Sequence, residues 1–278
     1  MNGGPNCGKI FSVIKLNKQK FRYVELVKEL SLTDFKLKYQ GSFLGYLWSL
    51  AKPLMLFAIL YIVFTKFLRI GGNIPHYALY LLTGVVFWMF FAETTATSVT
   101  SIVAKGDLIR KIYFPRIVLV VSGAATSMLT FLLNFLAVMF FVLVNGVPVG
   151  FRALLLPIIL IEFLILVVGV GFFLSSLFVK YRDITHIWEI VLQGAFYGTP
   201  ILYPLTMVPA PYNKLLLLSP VAQIIQDARY LLISTDSATA FKLLPLKFVW
   251  IPYTLPIIIF LLGYQIFNRS AAKFAEEV

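Results

Sequence analysis

The sequence is poor in the side chains most enzymes work with. Its 278 residues include one cysteine, two histidines and twelve carboxylates. Lone Cys7 excludes an intramolecular disulfide and a thiolate metal cluster. His76 and His186 fall on opposite sides of the topology derived below, and the acids are scattered, with no carboxylates paired at helical spacing inside a span and no clustered Asp motif that would hold a metal and a nucleotide-sugar. Charge is scarce too: 13% of residues, where soluble domains carry about a quarter. That excludes an ordinary soluble domain. Residues 9–38 carry charge throughout and lack an apolar core run, so no secretory leader is expected.

In place of charge stand apolar residues, 60% of the chain. Six segments are long and apolar enough for membrane helices, at 53–70, 77–104, 117–144, 153–179, 184–203 and 248–267. Six crossings put both termini on one side. Of the 24 lysines and arginines, 17 then fall on the terminal side and 7 on the other, which makes the terminal side cytoplasmic. The net charge of +12 therefore faces the anionic inner leaflet and predicts no nucleic-acid partner. The expected fold is an all-α membrane protein: a cytoplasmic tail (1–20), an amphipathic interfacial segment (21–52) and a transmembrane domain (53–278).

In residues 21–30, Tyr23, Leu26, Val27 and Leu30 share one helical face, with Arg22, Glu25, Lys28 and Glu29 on the other. This helix lies in the membrane surface, as an anchor or as a docking face for a soluble partner. Ser31 with Asp34 has capping-box-like spacing and predicts a second short turn. The loop KGDLIRKIYFPR (105–116) carries a short helical pattern, Leu108, Ile109 and Ile112, stopped by Pro115. Residues 200–233 hold Pro200, Pro204, Pro209, Pro211 and Pro220, so no single helix runs through them. Ser219-Pro220 reads as a helix start, followed by an apolar stripe of Val221, Ile224, Ile225, Ala228, Leu231 and Leu232. Two such short helices fit a re-entrant hairpin at 204–233, or a loop on the outer surface.

GGPNCGKI (3–10) resembles a phosphate-binding loop, but Ile10 replaces the hydroxyl that reaches magnesium and no strand precedes it. Any ATP is bound by another chain. Glu93, Glu162 and Glu189 fall within spans and must face protein or water. They lack basic partners in the spans, which argues against an ion-coupled relay. After Glu93, Thr94, Thr97, Ser98 and Ser101 continue a polar face, either interhelical glue or a pathway wall. Aromatic stripes stand out: Phe57, Tyr61 and Phe64 on the first span, Phe87, Phe90 and Phe91 on the second, and Tyr197 and Tyr203 about the end of the fifth. They either pack helices or offer faces on which sugar rings slide. Gly41 with Gly45 and Gly194 with Gly198 are spaced for close helix approach.

Four stretches, DFKLKYQGSFLGYLWSLAKPL (34–54), LIRKIYFPRIVLV (108–120), FVKYRDITHIWEIVLQGAFYGTPILYP (178–204) and SPVAQIIQDARYLLI (219–233), together resemble permease subunits of ABC type-2 exporters, in the branch that exports O-antigen and teichoic-acid polysaccharides. The resemblance runs from about residue 24 to the C-terminus; the chain departs from it at Gly106-Asp107 and Ser219, where relatives often carry asparagine. It implies a homodimer in a bacterial or archaeal cytoplasmic membrane, bound to two ATPase subunits that hold ATP and magnesium, with no cofactor on this chain and no catalysis by it. The cargo implied is a glycan on an undecaprenyl diphosphate carrier. Arg22, Lys28, Asp107, Leu108, Arg110, Lys111 and Tyr113 would then meet the ATPase. The path would follow the aromatic stripes with Glu93, and Pro204, Pro211, Ser219 and Pro220 would guard the outer exit. In this scheme residues 39–54 are a joint, a flat helix bent by Gly41, Gly45 and Pro53 into a channel-lining span. The alternatives are a type-2 permease for a drug or lipid and, more remotely, a membrane-embedded enzyme acting on a lipid-linked sugar.

Overall fold

A computed structural model describes residues 23–38, 40–41, 45–70, 75–111 and 114–271. The 1–20 tail, Arg22 and Tyr113 lie outside the described residues. All regular structure among them is helical: α1 (23–38), α2 (Leu47–Ile62, prolonged by a π turn Val63–Phe67), α3 (Tyr77–Thr100), α4 (Gly106–Lys111), α5 (Ile117–Val144), α6 (Leu156–Lys180), α7 (Ile184–Gly198), α8 (Tyr212–Leu217), α9 (Pro220–Leu232), α10 (Ala240–Leu243) and α11 (Trp250–Ala271). Five helices are long and apolar enough to cross a membrane, namely α2 with its π turn, α3, α5, α6 with the preceding turn, and α11. The segment expected as a span at 184–203 forms α7, whose 15 residues reach only about 22 Å, short of the ~30 Å hydrocarbon core. Thr199 is extended and Pro200 cannot donate, so the helix stops there.

α1 is one helix rather than a helix and a turn. Ser31 is buried within it, its Oγ donating to the Lys28 carbonyl at 2.9 Å instead of capping a new start. The expected faces hold: Tyr23, Leu26, Val27 and Leu30 are half-buried, while Glu25, Lys28 and Glu29 are exposed. The bend into α2 lies at Gly41 and Gly45, whose φ values of +77° and +49° other residues rarely adopt. Pro53 is not part of the bend. α2 starts six residues before it, at Leu47, and Pro53 sits buried inside the helix.

α3 is the axis of the molecule, with 78% of its apolar window buried, packed by α5 and α6. Phe87, Phe90 and Phe91 interlock there with Phe131 and Phe163 at ring separations of 4.9–6.5 Å. α6 and α11 meet backbone to backbone: a Cβ on Gly169 would lie 2.5 Å from the Phe260 Cα, and one on Gly263 would strike the Gly169 carbonyl. The close approach expected of Gly194 and Gly198 is not made within the chain, since nothing lies within 4 Å of a Cβ at either. α2 and α7 stay open. Only 11% of the α2 window is buried, and no residue of α7 is fully buried.

Candidate functional site

The first part of the site is a groove beneath α1. A cavity of about 910 Å³ lies between α1, α2, α3 and α5. Asp34, Lys38, Lys52, Glu93 and Thr97 line one end, and Met55, Val86, Met89, Phe90 and Phe131 the other. α1 is tied across this groove. Lys38 Nζ donates to Glu93 of α3 at 2.6 Å, Lys105 after α3 pairs with Asp34, and Thr126 Oγ1 of α5 donates to the Ser31 carbonyl at 3.2 Å. Glu93 thus has a basic partner after all, supplied by the surface helix 55 positions away rather than by a span.

Most of the polar stripe after Glu93 satisfies its hydroxyls within the helix, while Ser98 also packs against Gly171 of α6. Thr94, Ser98 and Ser101 donate to carbonyls of their own helix at 2.7, 2.7 and 2.8 Å, the usual escape for a buried hydroxyl in a span. Thr97 alone of the four lines the groove. Thr95, which the stripe omits, accepts from Trp188 Nε1 of α7 at 3.0 Å.

The second part is the hairpin. α9 carries the expected apolar stripe, but its polar residues are buried as well: Gln223, Gln226, Asp227 and Arg229 are all inside. The polar side of α9 thus faces protein rather than solvent. Arg229, counted above among outer charges, is fully enclosed. Its Nε donates to the Tyr80 carbonyl at 3.0 Å, Nη1 to Pro200 at 2.6 Å and Nη2 to Ile201 at 2.8 Å, and its guanidinium lies 3.4 Å from the Tyr80 ring centroid. The break after α7 leaves carbonyls without helical partners, and the planar fork of an arginine reaches several at once. Gly84 makes room, since any side chain there would strike the guanidinium. Beside it, Tyr77 donates to the Leu202 carbonyl at 2.7 Å and Gln226 to the Tyr80 hydroxyl at 3.3 Å. On the other side of α9, Asp227 accepts from Gln223 at 2.8 Å and from Tyr253 of α11 at 2.7 Å.

The sequence-predicted residues divide by exposure. Phe87 and Phe91 are locked in the aromatic core of the single chain, so neither presents a face for a sliding sugar, and Phe90 shows only an edge to the groove. Phe57, Tyr61 and Phe64 are half-buried on α2, Tyr203 is half-buried, and Tyr197 is 62% exposed. Lys28, Asp107, Arg110 and Lys111 are exposed, and Leu108 is half-buried on α4. Pro204 is buried, Pro211 exposed, and Ser219 holds the N-cap backbone position of α9 without its hydroxyl bonding to the helix. Glu189 stays exposed with His186 at 3.8 Å, and Glu162 is half-buried against α9 with Oε1 lacking a partner among the described residues. Sequence reasoning missed Lys38, Lys105 and Arg229. The QDAR tetrad (226–229) in an apolar helix was the one available signal.

Long apolar helices around a buried axis, with a charged amphipathic helix tied to that axis, define a multi-pass membrane protein. Residues 25–233 match the ABC-2 type transporter family, and the chain belongs to it. Two similar proteins, both the O-antigen export system permease protein RfbA of Klebsiella pneumoniae, are 31% identical over 253 residues, 91% of this chain and 94% of theirs. The O-antigen export system permease protein RfbA of Myxococcus xanthus is 25% identical over 268 residues, 96% of this chain and 100% of its own length.

Proposed function

We propose that the chain is the membrane permease subunit of an ATP-driven exporter that moves a lipid-linked polysaccharide of the O-antigen type across the cytoplasmic membrane. The observation that carries this reading is the double attachment of α3. Its inner end is tied to α1 through Glu93 and Lys38, and its outer half holds the hairpin through the Tyr80 carbonyl and Arg229. A push on α1 therefore reaches the outer hairpin through one buried helix.

In this scheme two copies of the chain assemble with two ATP-binding subunits, which hold the nucleotide and magnesium. Lys28 of α1 and Asp107, Leu108, Arg110 and Lys111 of α4, with Arg22 and Tyr113 beside them in the sequence, form the surface the ATPase meets. α7, continued by residues 199–203, is the fifth of six crossings; α8 and α9 dip in from the outside, and both termini are cytoplasmic. Pro204, Pro211, Ser219 and Pro220 shape the outer gate. α2 and α7, left open in the single chain, face each other across the two copies and enclose the path. Phe57, Tyr61, Phe64, Tyr197 and Tyr203 line it with Glu93, while Phe87, Phe90 and Phe91 stiffen the wall behind. The cargo rides on an undecaprenyl diphosphate carrier, and a teichoic-acid polymer on the same carrier suits the same path.

The test is the intact mass of the complex extracted gently from its native membrane, followed by its ATPase rate with and without lipid-linked glycan. Two chains of 31.4 kDa with two nucleotide-binding subunits, and stimulation by the glycan, are expected. A chain without an ATPase partner overturns the exporter, and stimulation by an amphipathic drug instead of the glycan overturns the cargo.

A further inference from the structure

We propose that the groove beneath α1 is a seat for one anionic phospholipid of the inner leaflet, with its phosphate at Lys52 and one acyl tail between α3 and α5; this rests on placing α1 at the inner membrane surface, as above. The groove is graded as a lipid is. Charged side chains gather at Asp34, Lys38, Lys52 and Glu93, and apolar ones at Val86, Phe90 and Phe131. Thr126, Thr130 and Asn134 of the α5 wall turn their donors to carbonyls of their own helix. Its walls have matched length: Val86 to Thr97 on α3 and Gly123 to Asn134 on α5 are each 11 residues apart, about 16 Å. Nothing among the described residues lies within 4 Å of a Cβ on Gly123, so the groove is open at its charged end, where the headgroup and the start of a tail would lie. The mouth opens beside α2, where Met55, Ile59 and Ile62 are more than half exposed and offer an apolar track for the second tail.

Charge selects the headgroup. Within the lining, Lys38 is paired with Glu93 and Asp34 with Lys105, which leaves Lys52 without an acidic partner among the described residues. One unbalanced cation matches the single charge of a phosphodiester. The diphosphate of a polyprenyl carrier brings more negative charge than the groove neutralises, so the seat is for a resident lipid rather than for the cargo. A lipid there fills the space under α1, beside the two ion pairs and the Thr126–Ser31 hydrogen bond that cross the groove.

The experiment is native mass spectrometry of the purified complex in mild detergent, titrated separately with phosphatidylglycerol, phosphatidylcholine and a polyprenyl diphosphate. One phosphatidylglycerol per chain is expected at saturation. Lys52→Gln weakens it about fivefold, the share of one lysine near an anionic surface, and leaves phosphatidylcholine unaffected. Gly123→Leu abolishes the stoichiometric lipid without changing the mass of the assembled complex, because its side chain enters open space. Equal phosphatidylglycerol binding in both variants, or preference for the polyprenyl diphosphate, overturns the proposal. The same spectra report ATPase-subunit assembly, so an intact exporter without a bound lipid faults the groove alone.

Discussion

Replacing Arg229 by methionine tests the hairpin directly. The substitution keeps most of the side-chain volume but removes donors to three buried carbonyls, those of Tyr80, Pro200 and Ile201. The two carbonyls orphaned at the break cost about 1–3 kcal/mol each, and that of Tyr80, which keeps its donor within α3, about 1 kcal/mol. Against this, the enclosed guanidinium no longer needs to be stripped of water, a relief of several kcal/mol. The balance is a loss of about 2–4 kcal/mol, or about 5–10 °C in unfolding temperature for a chain of this size. The damage should be local, so limited proteolysis from the outer side should cut within 199–219 before the long helices unfold. Arg229→Lys should be intermediate, because one ammonium cannot span the three carbonyls. Gly84→Ala should resemble Arg229→Met, since its methyl displaces the guanidinium from the same site. An Arg229→Met protein with wild-type melting and an uncut hairpin would refute the claim that this arginine holds the break closed.

Three further outcomes are expected. Lys38→Glu and Glu93→Lys should each lower export and ATPase stimulation, and the double exchange should restore them; a double variant no better than either single one would remove the coupling role of the pair. Gly263→Leu should destabilise the chain by more than 2 kcal/mol in thermal unfolding, because its side chain must part α6 from α11 where Gly169 meets it; unchanged melting would show that the contact is loose. Phe87→Ala should cost about 3–5 kcal/mol of stability as a core truncation, whereas Tyr61→Ala should reduce export with little change in melting. The reverse pattern would place the path on the wrong side of the α3 wall.

The long helices were legible because their signal is additive. A run of apolar residues flanked by cations marks α5 from sequence alone, and its bounds, Ile117–Val144, coincide with those expected. The ends of α2 and α7 were less legible, since there a proline or a short helix had to be weighed against apolarity that favours a full crossing. What stayed hidden depends on pairs far apart in sequence. Asp34 meets Lys105 across 71 positions and Arg229 meets Tyr80 across 149, while Gly169 and Gly263 lie in separate spans. A charge in an apolar segment reads the same whether it faces water or three carbonyls. Amphipathic periodicity therefore placed the apolar stripe of α9 correctly and left the enclosure of its polar face unseen.

The arginine that closes the break also determines what can move. Sliding α9 alone away from α7 would leave the buried carbonyls of Pro200 and Ile201 without a donor. Swinging α3 alone would strip the enclosed Arg229 Nε of its acceptor, the Tyr80 carbonyl. In the transport scheme proposed above, outward opening is thereby restricted to motions in which the C-terminal end of α7, the hairpin and the first half of α3 travel as a single block. The compliance must then lie at the edges of that block, in the glycine bend before α2 and the loops that flank α8, and these are the segments where engineered crosslinks should arrest transport.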